Sequence, residues 1–334
     1  MRKVLKVLGA VLGVVVLLVA GLLGFLALKK PAQRPASAER FEPTPARLAR
    51  GEYLVEHVTP CLHCHSTIDN EIFGGDIKPG TVGMGGFQFG ASDGVPGFVQ
   101  AQNITADAET GIGKWSDGEV LRAMREGVKN DGSALFPMMP YPQFSIYDDE
   151  DAKAIVAYIR TLAPVRNPVK PRDLAFPVNL LVKLEPQPCD GPRQKPADHL
   201  AYGKYLSTVA GCVICHTAMN DHGQRLAERE FGGGWEMKSG DMRVITSNIT
   251  PAEGTWMSEA TRDEFIGRFR MWRDMPRDKP GKGRVTAMPW RAYAGMTDED
   301  LGAIFDYLKT VKPVPGVVNP FPDAPDMAGA VAAQ

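Results

Sequence analysis

Two short stretches hold the residues best suited to chemistry: Cys61-Leu62-His63-Cys64-His65 and Cys212-Val213-Ile214-Cys215-His216. In each, two thiols stand three positions apart and an imidazole follows at once. One helical turn brings such thiols to one side, where they can add to the two vinyl groups of a single porphyrin. The imidazole then falls beneath the iron as its proximal ligand. A lone pattern of this kind also suits half a zinc site or a redox dithiol. A four-cysteine zinc site, however, needs its pairs roughly 15–20 residues apart, and Cys212 follows Cys64 by 148 positions. The two motifs therefore predict two covalently bound haem c groups, with His65 and His216 on the irons.

A second axial ligand makes such a haem an electron carrier, and methionine is the ligand that raises its potential. Most of the 14 methionines are expected to fill the core. Met139 and Met288 differ by position: they follow His65 and His216 by 74 and 72 residues, and each precedes a proline and an aromatic residue. Proline fixes the backbone of a loop that must hold a sulfur on iron. Met138 competes with Met139, but only Met139 keeps register with Met288. Met271, Met275 and Met296 read as packing or surface residues. His63 reads as pointing away from the iron, and His57, His199 and His222 as surface groups. Trp115 and Trp256 are core residues by default; the functional alternative is an indole N–H donated to a haem propionate. The glycine pairs Gly74-Gly75 and Gly232-Gly233 would let backbone approach the haem, with a carbonyl there accepting the N–H of the proximal histidine.

These residues sit in an internal repeat of about 150 residues. Gly51-Glu52-Tyr53-Leu54 matches Gly203-Lys204-Tyr205-Leu206, Phe73-Gly74-Gly75 matches Phe231-Gly232-Gly233, and Asn103-Ile104-Thr105 matches Asn248-Ile249-Thr250. Trp115 pairs with Trp256, Met139-Pro140-Tyr141 with Met288-Pro289-Trp290, and Tyr158 with Tyr307. Short helices are predicted over 47–58 and 198–210. A capping box at Ser116–Glu119 starts another helix, whose counterpart is placed at Ser258. Final helices start at Asp148 and Thr297. The glycine-rich stretch 74–97 reads as turns. No long alternating pattern appears, so the fold is predicted to be mostly α: two tandem domains, 47–163 and 198–312, behind an N-terminal transmembrane helix.

The chain has 334 residues, 44% of them hydrophobic and 23% charged, with a net charge of −1, which gives no sign of a nucleic-acid partner. Val7–Leu28 is an uncharged run of 22 residues between Arg2, Lys3, Lys6 and the pair Lys29-Lys30. It is long enough to cross a bilayer. A cleaved signal would have a shorter apolar core, and Ala36-Ser37-Ala38 lies well beyond the lysines, so residues 1–30 read as an uncleaved anchor. Because c-type haem is attached outside the cytoplasm, the domains are expected in the periplasm, held by a single pass through a bacterial inner membrane. The proline-rich segment 31–46 reads as a stiff tether, 164–197 as an extended strap whose Leu180–Leu184 docks on a domain or partner, and 313–334 as a tail. Cys189, the fifth cysteine, reads as a bystander thiol.

Each unit resembles a class I cytochrome c domain. Asn103-Ile104-Thr105, Gly111-Ile112-Gly113-Lys114-Trp115-Ser116 and Met139-Pro140-Tyr141 resemble segments of the cytochrome c subunit of membrane-bound alcohol, aldehyde and gluconate dehydrogenases. That resemblance implies His/Met ligation: Cys61, Cys64, His65 and Met139 around one haem, Cys212, Cys215, His216 and Met288 around the other. It also implies electron transfer with redox partners, namely a dehydrogenase, a quinol-oxidising complex or a terminal oxidase. Two departures stand out: that subunit usually has three haem domains, and its membrane attachment is not usually an N-terminal span. The alternative is a dihaem enzyme, such as a peroxidase or a thiosulfate-oxidising cytochrome, which needs one open iron site.

Overall fold

The computed structural model describes residues 1–72, 74–220, 223–239, 242–277 and 288–323. Phe73, His222 and the end of the tail from 324 onward lie outside the described residues. Helix accounts for 41% of the chain, which makes the fold mostly helical. The helices run α1 (Arg2–Leu28), α2 (Pro45–Tyr53), α3 (Cys61–Cys64), α4 (Asp117–Glu126), α5 (Tyr141–Phe144), α6 (Asp149–Ile159), α7 (Val178–Leu181), α8 (His199–Val209), α9 (Cys212–Cys215), α10 (Trp256–Glu259), α11 (Arg262–Arg270), α12 (Trp290–Tyr293) and α13 (Asp298–Leu308). Among the described residues, strand structure is confined to short antiparallel pieces: β1 (Ile68–Asp69) with β2 (Asp76–Ile77), β3 (Gln88–Phe89) with β4 (Gly97–Gln100) and β5 (Asp173–Leu174), and β6 (Glu236–Ser239) with β7 (Met242–Ile245).

Local chemistry explains most helix ends. Thr44 caps α2, with Pro45 at its first position. The capping box of Ser116 and Glu119 starts α4 as expected. Asp148 and Thr297 cap α6 and α13. The helix predicted to run to 58 changes character: α2 ends at Tyr53 and a π-helical turn, Leu54–Val58, carries the chain to the first motif. Leu54, Val55 and Val58 are fully buried, so that turn is held by packing.

Each motif stands on one crossed pair of helices. Helix α2 packs on α6, and α8 packs on α13. Both crossings need glycine. A Cβ on Gly51 would collide with the Ala154 carbonyl, and one on Gly203 with the Ala303 carbonyl. Tyr158 and Tyr307 flank these contacts, as the repeat implies.

The two halves also close on each other in a crossed fashion. The Tyr53 hydroxyl of the first half donates to Asp300 of α13 (2.5 Å), and the Tyr205 hydroxyl of the second half donates to Asp151 of α6 (3.2 Å). The same oxygens accept from the Thr297 and Asp148 amides, respectively. Arg50 holds Asp151 with two 2.8 Å bonds, where its counterpart Tyr202 holds Asp300. One apolar cluster, from Leu54 and Ile155 through Leu206 to Leu301 and Phe305, runs beneath both halves. A smaller one gathers Val95, Leu174 and Val182 under the β3–β4–β5 sheet.

Hydrogen bonds correct the register of the repeat in two places. The amides of Gly85 and Gly233 donate to the His65 and His216 carbonyls (both 2.8 Å). Ser66 Oγ accepts from Gly83, as Thr217 Oγ1 accepts from Phe231. The counterpart of Phe231-Gly232-Gly233 is thus Gly83-Met84-Gly85, not 73–75; a repeated tripeptide misled where backbone pairing decides. Likewise the counterpart of α4 is α11, capped by Thr261 with Glu264, and not a helix from Ser258. The extra turn α10 precedes it. Trp115 stands one residue before its cap Ser116, whereas Trp256 opens α10, five residues before Thr261, so the two tryptophans are not equivalent.

The segment 31–44 lacks helix and strand, as its prolines imply, but it is no free tether. Pro31 and Phe41 are buried. Arg34 pairs with Glu126, and the Phe41 amide donates to Asp117.

Candidate haem sites

The short helices α3 and α9 place His65 and His216 one turn after Cys61 and Cys212: each histidine amide donates to the first cysteine's carbonyl at 2.9 Å. Both rings are then fixed in the same way. His65 Nδ1–H donates to the Gln102 carbonyl, and His216 Nδ1–H to the Ser247 carbonyl, both at 2.7 Å. A carbonyl only accepts, so Nδ1 carries the proton and Nε2 keeps its lone pair. Burial holds both imidazoles below their ordinary value, in the neutral form a metal needs. The accepting carbonyls come from Gln102 and Ser247, not from the glycine pairs; Gly85 and Gly233 act instead through their N–H groups on the histidine carbonyls. Gln102 and Ser247 directly precede Asn103 and Asn248. Each asparagine side chain clamps its loop: Oδ1 accepts from the amide two residues on, and Nδ2 donates to the carbonyl of Val165 or of Val314. The chain leaving the last helix of each unit therefore holds the carbonyl that orients the histidine.

The thiols suit a large planar group. All four motif cysteines are free, and Cys64 is exposed. Burial nevertheless pushes Cys61, Cys64 and Cys212 up to about 12, and Cys215 upward as well. Among the described residues, no group of three or more His, Cys, Asp or Glu is placed to hold a metal ion. The donor set, two thiols followed by a carbonyl-oriented imidazole, fits haem c.

Met139 and Met288 sit in matching turns. The Tyr141 amide donates to the Met139 carbonyl and the Trp290 amide to that of Met288, both at 2.8 Å. Both side chains pack on the large core that also meets Cys61 and Cys212, while Met138 turns to the small cluster beneath the strap. Met296 is fully buried packing. Trp115 is half-buried against the large core. Trp256 is 41% exposed, stacked on Phe265 beneath the Arg268 guanidinium. His63 is lowered to about 4 by burial, against the pull of Asp76. His199 pairs with Asp306 at the surface. His57 is not a free surface group; it is half-buried, with its ring against Gly295 and Nδ1–H donating to the Ala292 carbonyl of the other half.

Sequence reasoning missed how close the motifs come. Thr59, two residues before Cys61, bonds the Tyr147 hydroxyl and the Val209 carbonyl, and Tyr293 donates to the Ala210 carbonyl. Burial raises the Tyr293 phenol well above its ordinary value, and the thiols of Cys212, Cys215 and Cys64 act on it too. One phenol thus neighbours both motifs, and Cys64 and Cys215 lie within electrostatic reach of each other. The available signal was the pair of acidic residues three positions past the caps Asp148 and Thr297, each buried and needing a partner.

The surroundings differ in charge. Arg225 Nε–H donates to the Ile214 carbonyl inside the second motif (2.8 Å) and acts on Cys215. Arg225 bridges Met219 as Ile77 pairs with Ile68, so the first half has Ile77 at that place. Its neighbour there is Asp76, which pairs with Arg277.

Paired cysteines under a carbonyl-oriented, neutral histidine define a haem-binding scaffold for electron transfer. Residues 48–163 match the cytochrome c family. It is 30% identical, over 297 residues, to the cytochrome c subunit of a quinone alcohol dehydrogenase from Gluconacetobacter polyoxogenes, an alignment that covers 84% of this chain and 59% of that subunit. It is 29% identical to the gluconate 2-dehydrogenase cytochrome c subunit of Pantoea cypripedii, covering 80% and 60%. A diheme cytochrome c-type protein of Cereibacter sphaeroides is 29% identical over 90% of this chain and 96% of its own length. The chain thus spans about three-fifths of those dehydrogenase subunits.

Proposed function

We propose that this chain is a membrane-anchored dihaem cytochrome c made of two tandem class I domains, 47–163 and 198–312. Cys61 and Cys64 hold one haem c through thioethers, and Cys212 and Cys215 hold the other; the bound groups take and release single electrons. His65 and His216, each turned by its backbone carbonyl, would offer Nε2 to the irons. Met139 and Met288 would supply thioether sulfur to the irons, and their packing on the motif side of the core supports them over Met138. Helix α1 anchors the body on the periplasmic face of a bacterial inner membrane. The named relatives point to a dehydrogenase as electron donor, with a quinol-oxidising complex or terminal oxidase as the other class of partner. The carrying observation is the identical fixing of His65 and His216, with Tyr293 between the motifs. Intact mass of the purified chain tests it: two covalently added haems are expected, and one or none would overturn the reading.

A further inference from the structure

The strap reaches the end of α1. Helix α7 packs beside it, and Lys183 Nζ donates to the carbonyls of Leu26 (3.3 Å) and Ala27 (2.7 Å), which lack partners inside a helix that stops at Leu28. Residues 176–184 therefore stand at the level where α1 leaves the apolar phase. This segment has two sides. Val182 is 3% exposed and packs with Val95 and Leu174, which holds it on the body. Phe176 is 67% exposed, and Leu181 and Leu184 are 40% exposed. Leu181 and Leu184 are three apart across a tight turn, so they share a face. The chain between α1 and the body has little slack, because Pro31, Arg34 and Phe41 are pinned to the first half.

We infer that residues 176–184 form a foot seated in the membrane interface, with Phe176, Leu181 and Leu184 among lipid chains. Lys29, Lys30 and Lys183 lie at the phosphate level. The occupant is lipid because the face is continuous with α1, itself unburied by the protein, and because the lysine bonded to the helix end sits at the same height. The foot fixes the pose of the haem-bearing body on the bilayer, so one surface always faces the periplasm for redox partners. The inference rests on α1 spanning the membrane.

The full-length protein, in phospholipid vesicles carrying a diazirine on the acyl chain, tests this by carbene labelling and peptide mass spectrometry. Adducts are expected on α1 and on 176–184, with none on α13. Adducts on α1 alone would overturn the foot, leave the anchor standing and assign the exposed face to a protein. Absence of adducts on α1 would overturn the anchor and the foot together. A F176S/L181S/L184S variant should keep its haem absorption and its α1 adducts and lose those on 176–184; retained labelling there would also count against the foot.

Discussion

The two halves share a backbone frame and differ in what surrounds it. Both orient a histidine on the carbonyl before an asparagine, cross two helices at a glycine, and end in a capped helix that receives the other half's tyrosine. Yet Arg225 stands beside the second motif where Ile77 stands beside the first, and Asp76 adds an acidic neighbour only there. Backbone hydrogen bonds that set ligand geometry tolerate no such variation. Side chains around the crevice can change charge without disturbing them. A cation near a redox centre favours its reduced form, so under the proposed dihaem reading Arg225 would favour reduction at the second motif, while Arg277 offsets Asp76 beside the first.

The largest test attacks what is shared. G51V and G203V should each cost several kcal/mol, since a side chain must enter a helix crossing with no space. Urea denaturation should show similar losses from both; a tolerated G203V would break the equivalence of the halves. Next, M139A and M288A should each remove part of the methionine-dependent absorption of the oxidised protein toward the red, while M138A leaves it whole.

A smaller effect should come from pH. Although burial opposes it, the bidentate bond to Arg50 holds the Asp151 carboxyl below its ordinary value. Its contribution is present above the unfolded value and is lost as pH falls through the lowered one. Stability to urea should therefore hold from neutral pH down to about 4 and fall below that. R50Q should be less stable at neutral pH and flatter in that acid window; an unchanged profile would deny the role of Arg50. The smallest expected change separates the centres. R225Q should lower one midpoint in a redox titration by about 1 kcal/mol, on the order of 40 mV for one electron, and leave the other in place. Equal shifts in both would erase the charge difference as a cause.

What the sequence disclosed follows the range of the interactions. Motif spacing and the caps at Ser116, Asp148 and Thr297 act within a few residues, so they were legible. The register of the glycines was not, because Gly85 and Gly233 are set by bonds to residues some twenty positions back. The string Phe-Gly-Gly matched in letters, whereas the Gly75 amide donates to Ile72 and not to a motif histidine. Ser258 lost to Thr261 because the latter alone has glutamate three residues on to complete its cap. The crossed tyrosines, the pinned segment 31–44 and the second side of the strap depend on contacts across the chain, which local pattern does not encode.

The single core beneath both halves governs timing as well as shape. Under the proposed dihaem reading, the separation of the two sites would be built into packed side chains rather than left to a flexible joint, and no swing of one half would have to precede each electron's passage. Thickening the medium with sucrose would slow the arrival of a soluble partner and leave the internal hop at its own pace.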